Sequence, residues 1–237
     1  MRSTLEPEAE PARDPRARLV VLRDILVSPG RAYAAILETR SWLPAYLLVV
    51  ASGLAFLALS AEALTHVALL TQHADPSSHL GPHEVKTATQ TFLTNSALFE
   101  VVQPLLAWGV TAMAFSSVAR FKGHTIPYRA FFALAAVCSL PEALGNLLDG
   151  IGIRLHGATA FPSLKALAVA VPDNLAVFAS PGNDREVVFL SSFGIFEIWS
   201  AVLLAYGFVA FAKVRPVTAL AVAFALDIFF SLIFNNP

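Results

Sequence analysis

Five apolar stretches, each long enough to cross a lipid bilayer, constrain this chain more than any other feature of its sequence. They cover residues 43–63, 97–119, 130–153, 187–212 and 217–234. A hydrocarbon core about 30 Å thick needs about 20 apolar residues in a helical span. Because backbone groups in lipid must pair within their own segment, each stretch is predicted to be a helix. The sequence therefore predicts an all-α fold, a polytopic membrane bundle of five transmembrane helices.

The distribution of charge agrees with a membrane protein. Only 14% of the residues are charged and the mean hydropathy is +0.64, whereas soluble domains carry about 25% charged residues. The net charge is −1 and no Lys/Arg-rich face occurs, so the lipid bilayer is a predicted partner and nucleic acid is not. The single cysteine, Cys138, excludes an internal disulfide.

Three regions follow from this pattern. Residues 1–15 are rich in Glu, Pro and Arg and are predicted to form a disordered cytoplasmic tail. In residues 16–41, apolar and basic side chains alternate at helical spacing on both sides of Pro29, which predicts two short amphipathic helices lying in the headgroup layer. The alternative for this region is a soluble helix that packs on nearby loops. Residues 42–237 contain the five spans.

The Lys and Arg residues predict the orientation. Positive residues accumulate on the cytoplasmic side of a membrane, and twelve of the sixteen fall on one side of the predicted bundle. These twelve are Arg2, Arg13, Arg16, Arg18, Arg23, Arg31, Arg40, Arg120, Lys122, Arg129, Lys213 and Arg215. We therefore expect a multi-pass protein of the inner membrane, with a cytoplasmic N-terminus and an extracytoplasmic C-terminus.

Two connectors on the outer side are long. Residues 64–96 are polar, while the second connector contains an apolar stretch, residues 164–178, that is too short to span. This stretch is predicted to be either a helix on the outer surface or a shallow re-entrant segment.

Acidic residues within the spans need a physical explanation, because ionisable side chains are costly in lipid and indicate a functional site by default. Glu142, Glu197 and Asp227 fall near mid-bilayer, while Glu100 and Asp149 lie nearer the outer face. These five residues form the predicted intramembrane acidic cluster.

Polar residues extend two of these helix faces. Ser139, Glu142, Asn146 and Asp149 recur on one face of the third span, and Gln103 follows Glu100 on the second. We expect these faces to turn inward and meet, without a Lys, Arg or His inside the spans. The acids are then either neutral interhelical hydrogen-bonding groups, a proton or cation site, or the lining of a solvated groove.

Four histidines in the first outer connector are candidate metal ligands, since imidazole suits zinc and copper. They are His66, His73, His79 and His83. Their loose spacing fits a solvated loop equally well. No other cofactor is predicted. The chain also contains no Gly-rich phosphate loop, H-E-x-x-H, G-x-S-x-G or C-x-x-C motif, so no catalytic residue is predicted and we expect a protein that is not an enzyme.

Several short motifs, taken in order, are similar to those of the Yip1 family of membrane proteins in its bacterial branch. They are Ser28-Pro29-Gly30-Arg31-Ala32-Tyr33, Trp42-Leu43-Pro44, Pro127-Tyr128-Arg129-Ala130-Phe131, Ser139-Leu140-Pro141 and Phe196-Glu197-Ile198-Trp199 with Leu203-Leu204-Ala205-Tyr206-Gly207. The resemblance implies a five-span bundle with a cytoplasmic N-terminus. The vesicle-traffic role of the eukaryotic members is not carried over, because their Asp-Leu-Tyr-Gly-Pro motif does not occur in this sequence.

Two classes of function remain open at this point. The first is a non-enzymatic component that organises lipids or binds other membrane proteins, including further copies of itself. The second is a small transporter or channel whose mid-bilayer carboxylates bind a proton or metal ion. A cavity that reaches Glu142 from either side of the membrane favours the second class, and a buried, closed acid cluster without a water path favours the first.

Overall fold

A computed structural model describes residues 15–74, 81–171, 173–180 and 182–234. The predicted disordered tail lies outside this range except for Pro15. The described chain is helical and contains no strand. Five segments are long and apolar enough to cross a membrane, namely Leu43–Thr71, His83–Phe121, Tyr128–His156, Ile195–Ala212 and Pro216–Ile233. The prediction of an all-α bundle with five candidate spans is confirmed.

The helices of the bundle are numbered in chain order. Two short helices, α1 and α2, come first, two long helices follow, and two of the later helices are only one or two turns long. Their bounds are α1 Pro15–Val27, α2 Pro29–Thr39, α3 Leu43–Ala74, α4 Pro82–Phe121, α5 Tyr128–Cys138, α6 Leu140–His156, α7 Leu164–Ala168, α8 Asp184–Ser191, α9 Ile195–Ala212 and α10 Pro216–Phe234.

The first two spans belong to helices much longer than residues 43–63 and 97–119. Helix α3 has 32 residues and α4 has 40, or about 48 and 60 Å at 1.5 Å per residue. Helix α4 begins early because Glu84 accepts a hydrogen bond from the Gly81 N–H at 2.6 Å, which caps its first turn. Residues 64–74 and 82–96 of the polar connector therefore continue these two helices beyond a 30 Å hydrocarbon core.

The third span is broken in its middle. Helix α5 ends at Cys138 and α6 begins at Leu140, with Ser139 between them at φ −80° and ψ 0°. Pro141 has no N–H to donate to the carbonyl four residues earlier, which weakens the helix at this point. A helix N-terminus consequently lies in the interior of the bundle.

The fourth span begins at Ile195, and the predicted start at residue 187 is wrong. Residues 184–191 form the separate helix α8, because the chain leaves the helical conformation before Gly194. Its backbone there pairs with an earlier segment, through Leu175 N–H to Phe193 O at 3.2 Å and Ile195 N–H to Asp173 O at 2.9 Å. Those bonds replace the helical ones.

Helices α1 and α2 pack on one end of the bundle, which we call the α1/α2 end. Val21 and Ile25 of α1 and Ala32, Tyr33 and Ile36 of α2 are buried in the main apolar core. The Tyr33 hydroxyl donates to the Leu203 carbonyl of α9 at 2.7 Å. Burial raises the pKa of this phenol, so it stays a neutral donor. The opposite faces of these helices remain candidates for headgroup contact.

The apolar core lies near this same end. Phe115 of α4 stacks on Phe208 of α9, with ring centroids 4.1 Å apart and an interplanar angle of 4°. Phe131 of α5 packs edge-on against both rings. All three side chains are fully buried. At the opposite end, residues 164–178 form α7 and the 3-10 turn Leu175–Phe178, which pack with α8 around the buried residues Ala176 and Val187.

Candidate intramembrane acidic cavity

A cavity of about 280 Å³ lies between α4, the α5–α6 break, α9 and α10. Glu142, Glu197 and Asp227 line it, one from each of α6, α9 and α10. We call this space and these three residues the acidic cavity. All three side chains are half-buried. The structure therefore brings together the three acids that the sequence places deepest in the spans.

Two helix N-termini position two of the acids. Glu142 lies in the first turn of α6, directly after the Ser139 break, and Glu197 lies in the first turn of α9. The partial positive charge of a helix N-terminus favours the Glu197 carboxylate at α9, whereas at α6 the C-terminal end of α5 lies directly before Glu142 and offsets that charge. The sequence places Glu197 in the middle of a long helix, whereas α9 begins only two residues before it.

Close approach of α6 and α9 brings these two acids together. Gly145 of α6 contacts Phe196 of α9, and a Cβ at Gly145 would stand 2.9 Å from the Phe196 Cδ2 atom. Similarly, the Glu197 carboxyl lies against the backbone of Gly194, where any side chain would meet its Oε2 atom. Small residues at both positions are therefore needed for this arrangement.

Hydroxyl and amide groups complete the polar lining. Gln103 and Thr111 of α4 contribute to it, together with Ser139, which accepts a hydrogen bond from the Trp108 indole N–H at 2.9 Å and donates to the Ala135 carbonyl. Ser200 of α9 is 4% exposed. Its hydroxyl approaches the Glu142 carboxyl but makes no hydrogen bond of normal geometry.

Neither a basic residue nor a metal-binding triad accompanies the three acids. The described lining of the cavity contains no Lys, Arg or His. Among the side chains that the structure describes, no three His, Cys, Asp or Glu residues lie close enough to hold a metal ion. Glu197 Oε2 and Asp227 Oδ2 are shielded from solvent and have no hydrogen-bond partner. These two carboxyl oxygens therefore accept no hydrogen bond from the described chain.

One side of the cavity is not closed by helix packing. Helix α10 packs on α9, whereas neither α3 nor α4 makes an extensive contact with it in the described part of the chain. Residues of α4 and α10 face each other across the cavity, including Gln103 and Asp227. Direct packing of α4 on α10 therefore does not close this side of the cavity.

The other predicted polar residues lie elsewhere. Glu100 packs against Gly53 of α3, and Asn146 does not contribute to the cavity lining. Asp149 stands close to Asp173 and Glu197, and its Oδ1 atom is shielded without a hydrogen-bond partner. Asp173 was not predicted, because it reaches the bundle only through the pairing of its segment with residues 193–195.

The four histidines do not form a described site. His66 is part of α3 and His83 lies in the first turn of α4. Of His73 only the backbone is described, and His79 lies outside the described residues. A metal site in this region stays a prediction.

The sequence also gave no reason to single out Trp108 and Cys138, which both line the cavity. Each is almost fully buried, with 5% and 2% exposure. Trp108 follows Pro104, which also lines the cavity, by four residues, and this spacing is the signal that places both on one face of α4.

Comparison with known proteins gives one match. The sequence model of the Yip1 domain matches residues 23–234, which is nearly the whole chain. No curated protein and no solved structure matches it.

Proposed function

The chain belongs to the Yip1 family, and on that basis we propose that it is a non-enzymatic membrane component that binds partner membrane proteins through its acidic cavity. It is a membrane protein whose five candidate spans contact the lipid bilayer. We place it in the inner membrane with its N-terminus in the cytoplasm, on the strength of the Lys and Arg distribution.

The observation that carries this proposal is the unclosed side of the acidic cavity. An acidic group in lipid is stable only when it is paired, hydrogen-bonded or protonated. Glu142, Glu197 and Asp227 find no basic partner in the described lining. A second membrane protein that enters between α4 and α10 supplies the missing contacts.

The test is co-purification of partners with and without the acids. The double variant Glu142→Gln/Asp227→Asn keeps side-chain volume and hydrogen-bonding capacity but removes the charge. We expect it to fold, with an unchanged thermal transition in detergent, and to lose the membrane proteins that co-purify with the wild-type chain. Glu100→Gln is the matched control, because Glu100 packs against α3 outside the cavity. Partners retained in full by the double variant would contradict the proposal.

A second candidate function is transport of a proton or metal ion. It is favoured by the cavity reaching Glu142 and by the succession of Asp173, Asp149 and Glu197 from the opposite end of the bundle toward the cavity. Flux into proteoliposomes discriminates between the candidates. A proton or cation flux in the wild type that disappears in Glu142→Gln/Asp227→Asn supports transport.

A further inference from the structure

Three polar atoms from residues that line the acidic cavity have no partner. They are Glu197 Oε2, Asp227 Oδ2 and the Ser200 hydroxyl, and each is shielded from solvent. Ser200 is the most informative of the three, because the side chain is 96% buried and its hydroxyl still lacks a hydrogen bond. Leaving such a group unpaired costs about 1–3 kcal/mol. This cost indicates that the cavity is complete only with a ligand.

We infer that the acidic cavity binds a primary ammonium group, supplied by a lysine side chain of a partner's membrane-spanning helix. An ammonium group has three donors and no acceptor, and the cavity presents carboxyl groups from three different helices. Either oxygen of Glu197 and Asp227 can face the cavity, since a carboxyl group rotates readily about its terminal bond. The inference rests on the proposed function and names the chemistry of the partner.

Geometry favours an ammonium group over a metal ion or an arginine. A metal ion needs oxygen ligands at about 2.0–2.6 Å, and the described acids do not converge to that degree. An ammonium nitrogen forms hydrogen bonds to carboxylates at about 2.7–2.9 Å, and the lysine side chain that carries it is flexible. The planar guanidinium of arginine suits one carboxylate bound through both oxygens, whereas Glu142, Glu197 and Asp227 come from three helices.

Size and access agree with a single side chain as the ligand. A volume of about 280 Å³ corresponds to about nine water molecules at about 30 Å³ each, which admits a lysine side chain but not a helix about 10 Å across. The partner helix therefore lies outside, in the gap between α4 and α10, and only its lysine enters.

The depth of the lysine follows from the helices. Asp227 is 11 residues from the start of α10, and Glu197 is 15 residues from the end of α9. At 1.5 Å per residue the acids lie roughly 17–23 Å from the α1/α2 end of the spans. The partner's lysine is expected at that depth.

The experiment uses the full chain in nanodiscs of phosphatidylcholine, which has no primary amine. Energy transfer from a donor on a synthetic Leu/Ala transmembrane peptide to an acceptor on an N-terminal tag reports binding. One peptide carries a single lysine about two-thirds of the way across the bilayer, counted from the side of the α1/α2 end. The control peptide carries leucine at the same position. We expect the lysine peptide to bind at least about tenfold more tightly, the effect of one charge-assisted hydrogen bond.

Three controls define the site. Glu197→Gln/Asp227→Asn is expected to abolish the lysine preference, and Ser200→Ala to reduce it severalfold, while Glu100→Gln leaves it unchanged. Because the double variant can fail to fold, a second test needs only the wild-type protein. A peptide with its lysine moved by two helical turns, about 11 Å, is expected to bind like the leucine peptide.

Several results would overturn the inference. These are equal binding of the lysine and leucine peptides, no binding of either, and a preference that ignores the position of the lysine. A preference that vanishes when phosphatidylethanolamine is added assigns the site to a lipid amine and also overturns it. If acid-dependent co-purification of partners persists in any of these cases, the proposed function stands and only the lysine is wrong. Loss of that acid dependence refutes the proposed function itself.

Discussion

At the scale of single residues, close packing around Gly207 joins α2 and α9 to α5. A Cβ at this position would overlap the Leu134 Cδ1 atom and stand 3.0 Å from the Tyr33 ring. Leu134 is fully buried and Tyr33 is 6% exposed, so neither side chain can move aside freely. The same packing lets the Tyr33 hydroxyl reach the Leu203 carbonyl.

Gly207→Ala is expected to destabilise the protein by about 1–3 kcal/mol, the usual cost of adding an atom to a well-packed core. Gly109→Ala is the control, because its Cβ meets only the Tyr128 hydroxyl at 3.5 Å, an ordinary contact, and alanine favours helix more than glycine does. Unfolding of both variants in mixed detergent measures the difference. Equal stability of the two would show that the packing at Gly207 is looser than described.

The sequence predicts which acids lie deep in the spans but not which of them share a cavity. Helical spacing puts Glu142, Asn146 and Asp149 on one face of α6, and that face is long. The cavity extends only over its first turn, whereas Asp149 interacts with Asp173 of the irregular segment that pairs with residues 193–195. Contacts made by an irregular segment leave no periodic signal in the sequence.

At the scale of elements, a carboxylate fixes the turn that leads into α8. Glu186 accepts hydrogen bonds from the Ser180 N–H at 3.0 Å and from the Asn183 side chain at 3.3 Å. The bond from the Ser180 backbone is the main reason that the pKa of Glu186 lies below its ordinary value. A carboxyl group whose pKa is lower in the folded protein than in the unfolded chain stabilises the fold at pH values above its pKa in the unfolded chain. This stabilisation is lost as the pH falls through the pKa of the folded state.

We therefore expect the Ser180 amide to be protected from hydrogen exchange at neutral pH and to lose protection only below about pH 4.3, the ordinary pKa of Glu. Glu186→Gln is expected to speed exchange of this amide at pH 7. Asp184→Asn, in the same first turn, is the control and leaves it unchanged. Exchange read by mass spectrometry checks this, and a Ser180 amide indifferent to Glu186→Gln would contradict it.

Existence of the helices was predictable, and their ends were not. Runs of about 20 apolar residues have no stable alternative to a helix in lipid. The run that starts at residue 187 is uninterrupted in composition, yet the chain breaks it before Gly194 because backbone pairing with residues 173 and 175 replaces the helical bonds. Pro141 removes a donor close to the break at Ser139, but Pro104 lies inside α4 without ending that helix, so a proline alone does not predict a helix end.

At the scale of the whole molecule, the two ends of the bundle are expected on opposite sides of the membrane. In a Cys138→Ala background, Ala88→Cys on α4 and Lys213→Cys after α9 both occupy exposed positions. A membrane-impermeant maleimide should label position 88 in intact spheroplasts and position 213 only after permeabilisation. Ala225→Cys, exposed on the side of α10, faces lipid and stays unlabelled. Labelling of positions 88 and 213 from the same side would refute the topology.

The unequal lengths of the spans have a consequence for the membranes that suit this protein. Helices α9 and α10 have 18 and 19 residues, about 27–29 Å, and have no apolar length to spare. The much longer α3 and α4 can fit a thinner bilayer by tilting and a thicker one by standing more upright. A mismatch between bilayer thickness and span length therefore affects α9 and α10 first. These two helices set the range of acyl-chain lengths that the fold tolerates.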